Sequence, residues 1–128
     1  MKKLERILCV DDESDMRMLI KMSLENVGGY EVSVCTSGQE LLENAARWYA
    51  DLVVLDAVMP LMDGMETMKR LRLLDGYRDT PVLFMTGKAK ESEADFKAAG
   101  AIGIITKPFD PIYLAQDVQK IWESAHNG

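Results

Sequence analysis

Five short apolar runs alternate along this chain with five segments whose apolar residues recur every three or four positions. No other feature restricts the fold so strongly. A short apolar run bounded by turn signals reads as a buried strand, and apolar residues at three- and four-residue steps make one face of a helix. "RILCV" (6–10) is the first run, and it stops abruptly at Asp11-Asp12. Met16, Leu19, Ile20, Ser23, Leu24 and Val27 then form a helical face closed by Gly28-Gly29. "YEVSVC" (30–35) alternates apolar and polar residues, as a half-buried or edge strand does. Ser37 can cap a second helix carrying Leu41, Leu42, Ala45 and Tyr49. Leu52 to Leu55 is the third strand, followed by a helix over 64–74 with Met65, Met68 and Leu71 inward. "PVLFM" (81–85) and "IGIIT" (102–106) are the fourth and fifth strands. A fourth helix over 91–99 ends at Gly100, and a final one over 111–124 carries Leu114, Val118, Ile121 and Trp122.

Strands that alternate with helices of this length imply parallel βαβ units. Four of the strands are almost wholly apolar, which suits a sheet covered by helices on both faces. The expectation is a single α/β domain filling the 128 residues, with a core from about residue 5 to 125 and no output domain. No repeat, linker or low-complexity tract interrupts the pattern.

Charge and composition exclude several functions. A formal charge of −6 argues against general binding to nucleic acid or anionic membranes, which needs clustered Lys and Arg. No apolar stretch approaches the ~20 residues that cross a bilayer. Acids cut short the apolar run after Lys2-Lys3 too early for a secretory signal. Cys9 and Cys35 read as small buried hydrophobes in a reducing cytosol. With no close cysteine pair and a single histidine, His126, in a tail expected to fray, zinc has no site.

The acids fall on one edge. In a parallel sheet all strands end in the same direction, and open α/β sheets place their ligand sites outside those ends. The first strand ends in Asp11-Asp12, the third in Asp56, the fourth in Thr86, and the fifth runs through Thr106 to Lys107. Strand ends are where polar residues resume in any protein, which accounts for each of these residues singly. It accounts poorly for three carboxylates, a hydroxyl and an ammonium on one rim. Clustered carboxylates repel one another, and a hard divalent cation relieves that. An open, oxygen-rich site of this kind leaves room for a phosphate oxygen, so the composition points to phosphoryl chemistry. Asp56 is then a candidate carboxylate nucleophile, with Lys107 and Thr86 able to hold the oxygens of a transferred group.

At this point the residues match a family. "DDE" after the first strand, "LDAVMPLMDG" after the third, "TG" after the fourth and "TKPF" after the fifth resemble the receiver domain of two-component response regulators, in the single-domain form typified by the chemotaxis response regulator. Each motif is weak alone, but their order on successive strands is highly specific, and the resemblance covers essentially the whole chain. It implies a flavodoxin-like doubly wound five-stranded parallel sheet with five helices. The strand order 2-1-3-4-5 comes from this resemblance, because alternation alone does not choose an order. The resemblance also implies that Asp56 accepts a phosphoryl group from a phosphohistidine on a sensor histidine kinase or phosphotransfer protein. Asp11, Asp12, Asp56 and the backbone carbonyl of Val58 would hold Mg²⁺ or Mn²⁺. Lys107 would pair with the phosphate, and Thr86 would supply the switch hydroxyl. Lys107-Pro108 would be a cis peptide, with Pro60 and Gly64 shaping the loop after the acceptor. Such a cytoplasmic protein promotes its own phosphotransfer and autodephosphorylation rather than acting as an ordinary enzyme. It signals to a downstream protein target through its fourth helix, fifth strand and last helix, as a monomer or a phosphorylation-dependent dimer.

The sequence departs from the family at three places. Many receivers carry Tyr or Phe three residues before the lysine, where this chain has Ile104. Ile104 reads first as an ordinary β-branched core or edge residue; the sharper alternative is a switch that works through backbone shifts near the fourth helix rather than an aromatic rotamer. Val58 and Lys88 border the path of the hydrolytic water, and an apolar Val58 cannot orient it, which predicts a long-lived aspartyl phosphate. Met62, Met65 and Met68 fit core filling better than a docking surface for the kinase. Rival functions fit less well. Haloacid-dehalogenase-type enzymes need a second Asp two residues after the nucleophile, where Val58 stands, and no G-x-G-x-x-G follows the first strand. A phosphorylation-independent receiver-like interaction module remains the alternative.

Overall fold

The computed structural model describes residues 3–87 and 89–127. In chain order the elements are β1 (Arg6–Val10), α1 (Ser14–Met22), β2 (Glu31–Cys35), α2 (Gly38–Ala45), β3 (Leu52–Asp56), α3 (Gly64–Leu71), β4 (Val82–Thr86), α4 (Ala89–Ala98), β5 (Gly103–Thr106) and α5 (Leu114–Asn127). The strands form one sheet in the order β2-β1-β3-β4-β5, with every neighbouring pair parallel.

The sheet has a core on each face, which explains why its strands are apolar at consecutive positions. Successive side chains of a strand point to opposite faces. Ile7 and Cys9 enter the core beneath α1 and α5, where they meet Ile20, Leu24, Leu114, Val118 and Trp122. Leu8 and Val10 enter the core beneath α2 and α3, where they meet Leu41, Ala45, Met68 and Leu71. Each of these large buried side chains contributes about 2 kcal/mol of transfer free energy. The two cysteines divide the same way, Cys9 on one face and Cys35 on the other, so the sheet itself separates them. Burial pushes both thiols up, Cys35 to about 11, and leaves them protonated and inert.

The ends of the helices follow local chemistry. Ser37 Oγ accepts the Glu40 amide at 3.1 Å, and the Glu40 carboxylate reaches back to the Thr36 amide at 2.8 Å. Asp63 is the N-cap of α3 and accepts the Glu66 amide at 2.9 Å.

Several boundaries differ from the sequence reading. Beyond α1 the chain widens into a π-helical turn, Ser23–Val27, in which the Gly28 amide bonds the Ser23 carbonyl five residues back. The wider turn rotates Val27 off the inward face, and it is 61% exposed. α2 stops at Ala45, so Tyr49 is not on its inner face. Instead the Tyr49 ring lies 5.2 Å from that of Tyr77, and its hydroxyl donates to the Gly76 carbonyl. α3 closes at Leu71 through tight turns over 72–74. α5 begins at Leu114, because Asp110 takes the Ile112 amide on its side chain and the Tyr113 and Leu114 amides on its carbonyl. His126 lies inside α5, its ring 3.9 Å from Trp122.

Candidate functional site

Parallel pairing brings the C-terminal ends of β1, β3, β4 and β5 to one rim. Asp56 is the last residue of β3 and is in register with Met85, while Thr86 closes β4 opposite Thr106. Asp11 follows β1 directly, and its amide bonds the Cys35 carbonyl of β2. Lys107 follows β5, and its amide donates to the Thr86 carbonyl at 2.8 Å. The Lys107-Pro108 peptide is cis.

The side chains then meet. Lys107 Nζ lies 2.7 Å from Asp11 Oδ2 and 3.3 Å from Asp56 Oδ2. Asp11 and Asp56 are buried, at 1% and 5% exposure, and Thr86 is buried beside them on the rim. Asp12 is exposed, yet its carboxylate, with those of Asp11 and Asp56, gives three oxygens all within 4.8 Å of one another. Backbone donors hold two of these groups. The Glu13 amide bonds Asp11 Oδ1 at 2.9 Å, and the Val58 amide bonds Asp56 Oδ1 at 3.3 Å.

Burial, and then the neighbouring Asp11 charge, hold the Asp56 carboxyl above the usual carboxylate range, against the pull of Lys107 and the Val58 amide. For Lys107, burial alone would lower the ammonium. The bonds to Asp11 and the charge of Asp56 outweigh it and hold the group above its ordinary value. One ammonium against three carboxylates leaves an excess of negative charge. An all-oxygen, carboxylate-rich donor set suits a hard cation, so these residues fit Mg²⁺.

The loop after the acceptor is tightly built. The Gly64 amide bonds the Ala57 carbonyl at 3.1 Å, and a Cβ on Gly64 would stand 2.5 Å from the Asp56 carbonyl oxygen. Only glycine lets the chain return so close to the acceptor strand. Leu61 sits at φ 70°, and the Met62 amide bonds the Pro60 carbonyl across it. This γ-turn is strained for a residue with a side chain, and the Leu61 side chain is fully exposed. Met68 is core, as expected, and Met62 and Met65 are half-buried. Val58 is 79% exposed at the edge of the site. Lys88 lies outside the described residues.

Sequence reasoning passed over two residues that act on this site. Arg17 on α1 donates to the Asp11 carbonyl at 2.8 Å and steadies the turn that carries the acids. Leu61 carries the backbone strain. For Arg17 the signal was a cation in the first turns of the helix that follows the acidic pair; for Leu61 no residue type gave one.

The chain matches the family described as "Response regulator receiver domain" over residues 7–119. It is 34% identical over 119 residues to the chemotaxis protein CheY-3 of Vibrio cholerae, covering 92% of each chain. It is 37% identical over 108 residues to the alkaline phosphatase synthesis transcriptional regulatory protein PhoP of Bacillus subtilis, covering 84% of this chain and 44% of that one. It therefore spans less than half the length of that transcriptional regulator. The crystal structure of Vibrio cholerae CheY4 at low pH superposes with a TM-score of 0.84 at 33% identity, over 93% of this chain and 99% of that one.

Proposed function

Because the chain belongs to the response regulator receiver domain family, whose members serve two-component phosphorelays, we propose that Asp56 is its phosphoacceptor. The observation that carries this reading is the buried Asp11–Lys107–Asp56 cluster on the sheet rim, with Asp12 beside it. An Asp56 carboxylate oxygen attacks the phosphorus of a kinase or phosphotransfer-protein phosphohistidine, the P–N bond breaks, and the imidazole leaves with the electron pair. Asp11, Asp12, Asp56 and the Val58 carbonyl would hold Mg²⁺, which when bound neutralises charge on the phosphoryl oxygens. Lys107 gives up part of its pairing with Asp56 and bonds the new phosphate, a charge-assisted contact. Thr86 turns its hydroxyl onto another phosphate oxygen.

Phosphorylation adds negative charge and acceptor oxygens at a buried point, a local event that reads out at a distance. The readout surface is α4, β5 and α5, facing a protein target. Ile104 is half-buried on this face and packs into the core shared by Phe96, whose ring stacks on Phe84 at 4.4 Å. With isoleucine in place of the family's usual aromatic, backbone shifts around α4 carry the signal. Comparing the free and beryllofluoride-bound protein by NMR checks this; a large aromatic rearrangement on that face would count against it.

The test of the acceptor is intact-mass spectrometry after incubation with Mg²⁺ and acetyl phosphate, beside an Asp56→Asn control. One added phosphoryl group that requires Mg²⁺ and is absent from the control is the expected result. No adduct, together with no Mg²⁺-dependent spectral response to beryllofluoride, would instead make the chain a phosphorylation-independent interaction module.

A further inference from the structure

The loop that carries Lys107 is poor in its own tethers. Pro108 and Pro111 lack amide protons, and the Ile112, Tyr113 and Leu114 amides all turn back onto Asp110 within the same segment. Lys107 itself is bound to the Thr86 carbonyl, Asp11 and Asp56, and Phe109 packs on the core; farther along the loop, Ser23 Oγ donates to the Pro111 carbonyl at 2.5 Å, across 88 residues of sequence. Ser23 is itself 3% exposed and Pro111 is half-buried, so the bond lies partly out of water. An unpaired carbonyl there would be costly.

Ser23 reaches Pro111 from the first residue of the π-helical turn. Segments of this winding are rare and concentrate at functional positions. Here the widened turn puts a polar side chain against the β5–α5 loop while Leu24, the next residue, stays in the core. Tyr30, just beyond the turn, donates its hydroxyl to Gln119 of α5, a second tie between the same two regions.

The geometry closes a ring. At the start of the α1 segment, Asp11 binds Lys107 Nζ. At its far end, Ser23 binds Pro111, four residues after that lysine. A helix of nine residues spans roughly 13 Å and does not stretch, so α1 acts as a strut pinned at both ends to one loop. We propose that Ser23 is a positioning residue for the phosphoacceptor site: it anchors the β5–α5 loop on α1 so that Lys107 is held at the distance from Asp56 that phosphoryl transfer needs.

This inference rests on the phosphoacceptor reading, and its test keeps the two apart. The first measurement uses neither magnesium nor phosphodonor. In Ser23→Ala the Lys107 backbone amide signal in a ¹⁵N–¹H spectrum shifts, and in Ser23→Thr, which keeps the hydroxyl, it returns toward its wild-type position. An unmoved Lys107 signal overturns the proposal whatever the protein's chemistry. The second measurement is the rate of acetyl phosphate phosphorylation with Mg²⁺. Ser23→Ala lowers it by about three- to tenfold, in line with one lost hydrogen bond, and Ser23→Thr restores it. In a Lys107→Ala background, Ser23→Ala has no further effect, because positions acting through one another are not additive. An equal fall in both backgrounds would show general loosening of the fold and refute a role through the lysine. A wild-type protein that takes no phosphoryl group would overturn the acceptor reading and leave the spectral result to decide this one. If Ser23→Ala fails to fold, Ser23→Cys, near in size and a weak donor, takes its place in both measurements.

Discussion

Lys107→Met is the perturbation whose size follows most directly from the site. The side chain is nearly isosteric, and it removes the ammonium that lies 2.7 Å from Asp11 and 3.3 Å from Asp56. Removing one partner of a buried ion pair costs about 3–5 kcal/mol, since the other charge is left unpaired. The rim is partly wet, with the Lys107 side chain 17% exposed, so water tempers the loss. A cost of about 2–4 kcal/mol remains. In a domain of this size each kcal/mol moves the melting temperature by roughly 3–5 °C, so Tm falls by about 10 °C. The assay is thermal unfolding by circular dichroism at pH 7 in chelator, then in rising Mg²⁺. The cation replaces the lost positive charge, so Mg²⁺ restores more stability to the variant than to the wild type. Saturation a hundredfold above Kd contributes about 2.7 kcal/mol. Below the carboxylate range the gap between the two proteins closes, because the acids are then neutral. A variant that melts within about 2 °C of wild type in chelator would refute the assignment of Lys107 as the counter-charge of the buried acids.

Four further outcomes are expected. Asp56 titrates above its ordinary 3.8 in the folded protein, so its contribution to stability is full below 3.8 and is lost as pH rises through the raised value. Asp56→Asn cannot titrate, so in metal-free urea unfolding the variant gains on wild type between acid and neutral pH; a constant difference would contradict the raised titration. Gly64→Ala puts a Cβ 2.5 Å from the Asp56 carbonyl and 2.8 Å from the Phe84 ring. It should cost about 1–3 kcal/mol in urea unfolding and slow phosphorylation of Asp56. Leu61→Gly relieves the positive φ of an exposed residue and should gain about 1 kcal/mol, after the greater entropy of glycine in the unfolded chain. Val58→Asn combined with Lys88→Glu supplies groups that can orient water, so the aspartyl phosphate decays faster than in wild type, as followed by intact mass against time.

The alternation of apolar runs and helical periods made the sheet and its two helical layers legible, because burial on both faces leaves the inner strands almost no polar position before their ends. The site was legible for a related reason. Asp11, Asp56 and Lys107 each stop a run that would otherwise stay apolar, and parallel topology sends those stops to one edge. What escaped was local backbone winding that no residue type announces, unlike the cis Lys107-Pro108 peptide, which was expected and is present. The π-helical turn at Ser23 has no periodic signature, since its wider winding shifts Val27 out while Leu24 keeps its place. The γ-turn at Leu61 occupies a position where glycine or asparagine would have signalled positive φ. The shorter bond of Lys107 is to Asp11 rather than Asp56, a preference of 0.6 Å (3.3 against 2.7) that depends on side-chain geometry. Tyr49 fell on the helical period by spacing alone, and the early stop of α2 at Ala45 removed it.

The bond between Lys107 and Asp11 joins residues 96 positions apart. During synthesis the acidic pair therefore emerges long before its cation, and β5, an edge strand, is the last strand to be made. Until then the rim is a cluster of like charges without a clamp. The charge balance at this rim is thus a property of the finished tertiary structure, complete only when β5 is in place.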